Sequence, residues 1–287
     1  MLEAVRDQVG RGLSVVWVTQ EPEELAAAGR CLELSETASS GVRPDPLAIG
    51  QFGTWVAGDI PQASTSEDTP ALWIRVHPSR GGDGLQIATR RTILIQVSAR
   101  GVTALEGRNG SGKSVLLGAV AGLRTLAQVQ VEWKQTQADR PILAGQFPEL
   151  EIFAETVAEE ATYAAVSRGM AREEAQTRAA NQFEFLGLGG RAFLGRRSWE
   201  LSAGERRLTQ VVGALIAPAS LILLDEPTCG LDPWRRSRLA SVVRERAREV
   251  PLLVASQDRH WLGSIAAQRF PLGAEGSEMA TFGKKTG

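Results

Sequence analysis

Short apolar runs separated by polar turns recur along the chain, and they alternate with longer stretches of helical period. "LWIRV" (72–76), "RTILIQVS" (91–98) and "VTALE" (102–106) predict strands, the last running into a glycine-rich turn. "ASLILLDEP" (219–227) is denser and reads as a strand buried on both faces, the mark of a parallel sheet. Helical patterns cover 155–187 and 203–217. The alternation predicts an α/β sandwich. One strand–turn–helix pattern occurs twice: "VVWVTQEPEEL" (15–25) lines up with "LLVASQDRHWL" (252–262). The first copy stands near the start of the chain, where such a closing unit is out of place. Between it and the rest lies "GDIPQASTSEDTPA" (58–71), which has linker composition.

Composition narrows the picture modestly. The chain has 287 residues, 43% of them hydrophobic and 23% charged, with a net charge of −1. These are the values of an ordinary globular protein, and no whole-chain basic excess calls for a nucleic-acid partner. Two cysteines, Cys31 and Cys229, give no disulfide framework and suggest a reducing compartment. The first twelve residues are too charged for a signal peptide. The longest apolar stretch, 211–224, falls short of a membrane span and is broken by Pro218. Work at a membrane therefore implies spans supplied by another chain.

Candidate chemistry concentrates in three motifs. "GRNGSGKS" (107–114) fits the phosphate-binding loop G-x-x-x-x-G-K-[ST] and sits between a strand and a helix. Gly107, Gly110 and Gly112 let the backbone turn, so that the amides of the loop, including Asn109 and Ser111, face inward. Lys113 supplies a positive charge for the outer phosphates, and the Ser114 hydroxyl is a Mg²⁺ ligand candidate. In "LILLDEP", Asp225 ends the strand where a carboxylate reaches that Mg²⁺, and Glu226 follows as candidate general base. "LSAGERRLTQ" (201–210) opens a helix with a capping box, Ser202 and Glu205. Ser202, Ala203 and Gly204 also present a helix N-terminus with free N–H groups, suited to an anion.

In this order the motifs resemble those of the ATP-binding-cassette (ABC) ATPases, whose signature usually reads LSGGQ. The resemblance covers about residues 72–275. Here Ala203 and Glu205 replace a Gly and a Gln. "CGLD" (229–232) resembles the family's D-loop and brings in Asp232, and Gln146 falls at the Q-loop. The resemblance implies ATP and Mg²⁺ as ligands, with Ser114, Gln146 and Asp225 around the metal. It implies catalytic roles for Glu226, Gln146 and Gln257, the last standing where the family's switch region has a His. The implied fold is a phosphate-loop sandwich: a parallel core sheet, an antiparallel β subdomain and a helical signature subdomain. The segment "QFPELEIFAETVAEE" (146–160) is similar to the ATPase subunits of energy-coupling-factor importers for cobalt, nickel and vitamins.

On this resemblance, residues 1–42 are the tail of a preceding cassette, 43–71 a linker and 72–287 the ATPase domain. The strand at Val15–Val18 then lacks its sheet, and residues 1–70 are expected to pack poorly or borrow a neighbouring edge. Gln20 and Gln257 occupy the switch position of the two copies, which predicts slow hydrolysis, since an amide cannot relay a proton. His260 is expected at the surface and Trp73 in the core. No ring stands at 79–86, where an adenine-stacking aromatic is expected, leaving His77 as nearest candidate. The implied mechanism needs two cassettes closing on ATP, the second being a twin or a paralogue, with transmembrane subunits docking near 146–156 at the cytoplasmic face of the membrane. Alternatives are a cassette acting on DNA or ribosomes and a weakly hydrolysing regulatory partner. Lys113 and Ser202 are 89 positions apart, which disfavours the long coiled-coil insertion of the DNA-repair type.

Overall fold

The computed structural model describes residues 70–78, 87, 89, 91–134 and 140–273. These all belong to the second of two units into which the chain divides, Ala63–Gly287. The expectations for 1–42, for most of 43–71, for Val15–Val18, Gln20 and Cys31, and for 79–86 lie outside the described residues.

Strand β1 (Pro70–Val76) lies antiparallel between β2 (Ile93–Ser98) and β4 (Val129–Trp133), with Ile74 opposite both Ile95 and Val131. Leu72, Ile74 and Val76 point to the buried face. Trp73 alternates to the other face and is only half-buried, so the expectation that it belongs to the core is corrected: strand period 2 puts it opposite its apolar neighbours. Pro70 opens the strand, a position where a missing N–H is tolerated.

The second sheet is parallel, ordered β5 (Ile142–Ala144), β6 (Ile222–Asp225), β7 (Leu252–Ser256), β3 (Val102–Glu106), β8 (Gln268–Pro271). Its alternate residues feed two cores. Leu105, Leu221, Leu223, Leu253 and Ala255 join the antiparallel sheet and helix α1 (Lys113–Val120). Ala104, Ile222, Leu224, Leu252 and Val254 face the remaining helices. Both faces are therefore covered, which explains the unbroken apolar character of "LILL".

On the second face, a four-residue helix α2 (Pro148–Glu151) leads to α3 (Val157–Ser167), α4 (Arg172–Phe185), α5 (Gly190–Leu194) and α6 (Ala203–Ile216). The helix expected over 155–187 is thus two helices. Gly169 takes a left-handed φ of 91°, and the Met170 N–H turns back to Ala165 O, ending α3. Phe183 of α4 and Phe193 of α5 pack edge to face, centroids 4.9 Å apart. Helix α7 (Pro233–Arg246) precedes β7, and α8 (Arg259–Ile265) follows it. Among the described residues no helix is long and apolar enough to cross a membrane. The parallel core, the antiparallel β layer and the helical subdomain match the expected architecture.

Candidate active site

All five core strands run in one direction, so their C-terminal ends open on one edge, the usual place for a ligand in such sheets. The strand order sets β7 between β6 and β3. The loop after β3 and the acids at the end of β6 therefore flank the end of β7. They enclose a cleft of about 300 Å³ lined by residues 109–115, Gln146, Asp225 and Glu226.

Gly112 caps α1 from the left-handed region, φ 96°, which a side chain rarely adopts. The turn aims the first amides of α1 at the cleft, where the helix dipole favours an anion. Lys113, only 6% exposed, folds back so that Nζ donates to Gly107 O at 2.7 Å and Arg108 O at 3.3 Å. The same ammonium stands 3.5 Å from Glu226 Oε1. Glu226 is the one non-glycine residue with positive φ among the described residues, at 48°. That conformation is held from outside: the Glu226 N–H donates to Ala255 O at 2.8 Å. Ser256 Oγ and the Gln257 N–H donate to Glu226 Oε2 at 2.8 and 3.2 Å. Backbone strain of this kind collects where a side chain must point in one direction. The Gln257 side chain donates to Asn109 Oδ1 at 2.7 Å, tying the switch position to the phosphate loop.

Ser114 Oγ lies 3.4 Å from Gln146 Oε1. Burial raises the Asp225 pKa above its ordinary value, and the Glu226 charge adds to this; Ser114, Lys113 and Arg207 pull the other way. Asp225 Oδ1 and Glu226 Oε1 are buried with no hydrogen-bond partner. Buried carboxylate oxygens are normally satisfied, so two orphans beside a hydroxyl and an amide oxygen fit a hard divalent cation with a polyphosphate. The charged form of Asp225 is destabilising in the free protein. Below its unfolded pKa the carboxyl is neutral in both states; stability falls as pH rises through the raised folded value. Asp225→Asn is therefore expected to raise the melting temperature of the nucleotide-free protein at neutral pH. That gain should fade as pH drops through the raised pKa. The same change should abolish any rise in melting temperature on adding Mg²⁺ with ATP. Differential scanning calorimetry over pH checks both.

The remaining expected residues stand elsewhere. Ser202, Ala203 and Gly204 open α6 and do not line the cleft. Ser202 Oγ accepts from the Glu205 N–H at 3.3 Å, and Glu205 Oε2 accepts from the Ser202 N–H at 2.8 Å, completing the capping box. Glu205 also pairs with Arg196 at 2.5 Å. Asp232 caps α7, accepting from the Arg235 N–H at 2.8 Å. A Cβ on Gly204 would stand 2.8 Å from Gly230 O, so the signature turn and the 229–232 loop approach too closely for a side chain. Gly204→Ala is expected to destabilise the fold by about 1–3 kcal/mol, read by chemical denaturation. His260 is exposed on α8, as expected, and Cys229 is exposed and free. Among the described residues no aromatic ring lines the cleft, and His77 lies 3.3 Å from the Thr92 hydroxyl.

Ser256 and Arg207 were not among the residues singled out from the sequence. Ser256 had a weak signal, as the last residue of a buried strand. Arg207 had a stronger one: a cation four positions before Val211, on the apolar stripe of α6. Burial lowers the Arg207 pKa, while Cys229, Asp225, Glu149 and Glu151 raise it.

The fold and the cleft define a phosphate-loop nucleotide-binding domain. Residues 91–229 match the family described as ABC transporter. An ABC transporter ATP-binding protein of Methanosarcina mazei is 32% identical over 236 residues, 77% of this chain and 71% of that protein. BL0043 of Bifidobacterium longum, described in the same terms, is 27% identical over 342 residues, 96% of this chain and 43% of that protein. The energy-coupling factor transporter ATP-binding protein EcfA2 of Streptococcus thermophilus is 34% identical over 156 residues, 50% of this chain and 55% of that protein. The chain thus spans about half the length of these last two relatives. The fold is similar to cbiO1 from Clostridium perfringens, part of the ABC transporter complex cbiONQ: TM-score 0.56, 20% identity, covering 71% of this chain and 85% of that one. The chain belongs to the ATP-binding-cassette family.

Proposed function

We propose that this chain is the ATP-hydrolysing subunit of an importer of the energy-coupling-factor type. The observation that carries the reading is the buried Glu226 carboxylate, oriented by Ser256 and Gln257, whose Oε1 has no hydrogen bond and stands 3.5 Å from Lys113 at a cleft that also holds Asp225. Lys113 and the loop amides 109–114 would bind the β- and γ-phosphates of ATP. Ser114, Gln146 and Asp225 would hold Mg²⁺, which when bound screens the charge between the phosphates. Glu226 would accept a proton from a water in line with the γ-phosphorus. The bond from that phosphorus to the bridging oxygen breaks, giving ADP and phosphate. Ser202, Ala203 and Gly204 stay free of the cleft, which supports their use by the ATP of a second cassette, with Asp232 between the two. ATP that binds the closed pair more tightly shifts the population toward closure.

Two features support docking to membrane subunits. Phe147, Leu150, Phe153 and Tyr163 are large apolar side chains left 51–81% exposed around the Gln146–Thr156 segment. EcfA2 is named as part of such a transporter. Residues 1–42 are proposed as the tail of a preceding cassette, a reading supported by the match of 96% of the chain to a relative of about twice its span. Co-purification with a transmembrane partner from detergent-solubilised membranes tests the transport role; recovery only with ribosomes or DNA would overturn it.

A second reading, a soluble or weakly hydrolysing nucleotide-binding protein that acts as a regulatory partner, is favoured by Gln257 at the switch position. The Gln257 amide does not titrate, so this residue adds no pH dependence of its own to turnover. Gln257→His should raise turnover about tenfold and introduce a pH dependence centred near the ordinary histidine value, about 6.5. A pH-rate profile with identical shape in both proteins would remove residue 257 from the chemistry.

A further inference from the structure

We infer that Arg207 is a positioning residue that holds Gln146 at the cation site from the signature helix α6. Arg207 is 4% exposed, among Leu208, Val211 and Val212 on the buried stripe of α6. Nothing in that apolar packing calls for a charge, and burying a guanidinium is costly unless its donors are satisfied. Its two terminal nitrogens find partners on one short segment: Nη1 donates to Gly145 O at 2.6 Å and Nη2 donates to Gln146 O, while Nε stays buried without a hydrogen bond. The planar fork fixes two successive carbonyls, which a lysine point charge cannot do.

The same segment is held from its other side. Glu151 Oε2, at the end of α2, accepts from the Gly145 N–H at 3.2 Å and from Gln210 Nε2. Gln210 Oε1 in turn accepts from Arg207 Nη1 at 3.3 Å, closing a ring of Arg207, Gln210, Glu151 and the Gly145 peptide. A Cβ at position 145 would lie 1.9 Å from Glu151 Oε1, so the ring requires a glycine there. Pinning both ends of the Gly145 unit and the Gln146 carbonyl fixes the point from which the Gln146 side chain leaves the backbone, and its Oε1 reaches to 3.4 Å from Ser114 Oγ. Arg207 lies three residues after Gly204 on the same helix, so displacing the signature end of α6 carries the fork and the Gln146 backbone with it. The cation site thereby becomes sensitive to where α6 stands.

The inference rests on the reading of Ser114, Gln146 and Asp225 as cation ligands, and its test separates the two. Mn²⁺ binding is measured by electron paramagnetic resonance in the presence of a non-hydrolysable ATP analogue. Binding of the analogue alone, in EDTA, is measured by calorimetry. Arg207→Lys should weaken Mn²⁺ binding about tenfold, the usual effect of losing an outer support of a ligand, and leave analogue binding in EDTA unchanged. In a Gln146→Ala background it should cost nothing further, because a residue that acts through another is silent once that other is gone. An undiminished Mn²⁺ loss in the Gln146→Ala background overturns the inference, as does a parallel loss of analogue affinity in EDTA or an unchanged Mn²⁺ affinity. If Arg207→Lys does not fold, Gln210→Met decides: it should weaken Mn²⁺ in the same sense, and no change refutes the clamp. A wild-type chain that binds analogue but takes up no Mn²⁺ overturns the ligand reading itself, and with it the inference.

Discussion

Replacing Glu226 by Gln is expected to reduce ATP turnover about a thousandfold while leaving ATP affinity nearly unchanged. The substitution keeps shape and hydrogen-bond acceptance: the amide oxygen can still receive Ser256 Oγ and the Gln257 N–H, which now hold Oε2 at 2.8 and 3.2 Å. What disappears is the capacity to take a proton from water, worth about 10²–10⁴ in rate for a positioned base. The loss of a negative charge 3.5 Å from Lys113 leaves the ammonium freer to meet phosphate, so binding should hold or tighten. Phosphate release under steady state and calorimetric titration with Mg-ATP give the two numbers. Turnover unchanged by Glu226→Gln would show that the acid at the end of β6 is not the base. Equal loss of binding and turnover would show that it supports the site instead of the chemical step.

Lys113→Ala is expected to have the larger effect on binding, weakening ATP affinity a hundredfold or more, about 3 kcal/mol. Lys113 is nearly fully buried, and its ammonium is already paired with Gly107 O, Arg108 O and Glu226. Triphosphate oxygens are stronger partners than the two carbonyls, since the ammonium meets a negative charge there and only a neutral dipole at a carbonyl. Alanine removes that exchange and leaves the Glu226 carboxylate buried without its cation, which is destabilising in itself. The melting temperature should therefore fall in the absence of nucleotide. Lys113→Arg separates the two effects: it keeps a charge for Glu226 but is too large for the turn under α1, so stability should recover more than affinity. Calorimetric titration showing wild-type ATP affinity in Lys113→Ala would end the phosphate-loop reading of 107–114.

The chemistry-bearing motifs were legible because each is local. A phosphate loop is a property of eight consecutive residues and the helix they start, and the capping box of Ser202 and Glu205 spans four. Their hydrogen bonds close within a turn or two of chain, so spacing alone specifies them. The apolar run before Asp225 and Glu226 announced a strand buried on both faces, and α6 came within a residue of its expected end. The alternation that predicts strands also had the means to place Trp73 on the outer face. Its place between Leu72 and Ile74 outweighs the hydrophobicity of its ring. The helical pattern over 155–187 divides at Gly169, whose positive φ ends one helix before the next begins.

By itself, the sequence determined which groups are available to a nucleotide: the amides and Lys113 of the loop, the two acids of β6 and the free N-terminus of α6. Tertiary structure alone decided how they meet. The order β6-β7-β3 brings Glu226 to Lys113 and sets Ser256 and Gln257 between them. It likewise folded Arg207 and Gln210 of one helix onto Gly145, Gln146 and Glu151. The physical reason is range. Local backbone geometry is written in neighbouring residues, whereas hydrogen bonds across 30 to 62 positions exist only after strands have been ordered and both faces of the sheet covered.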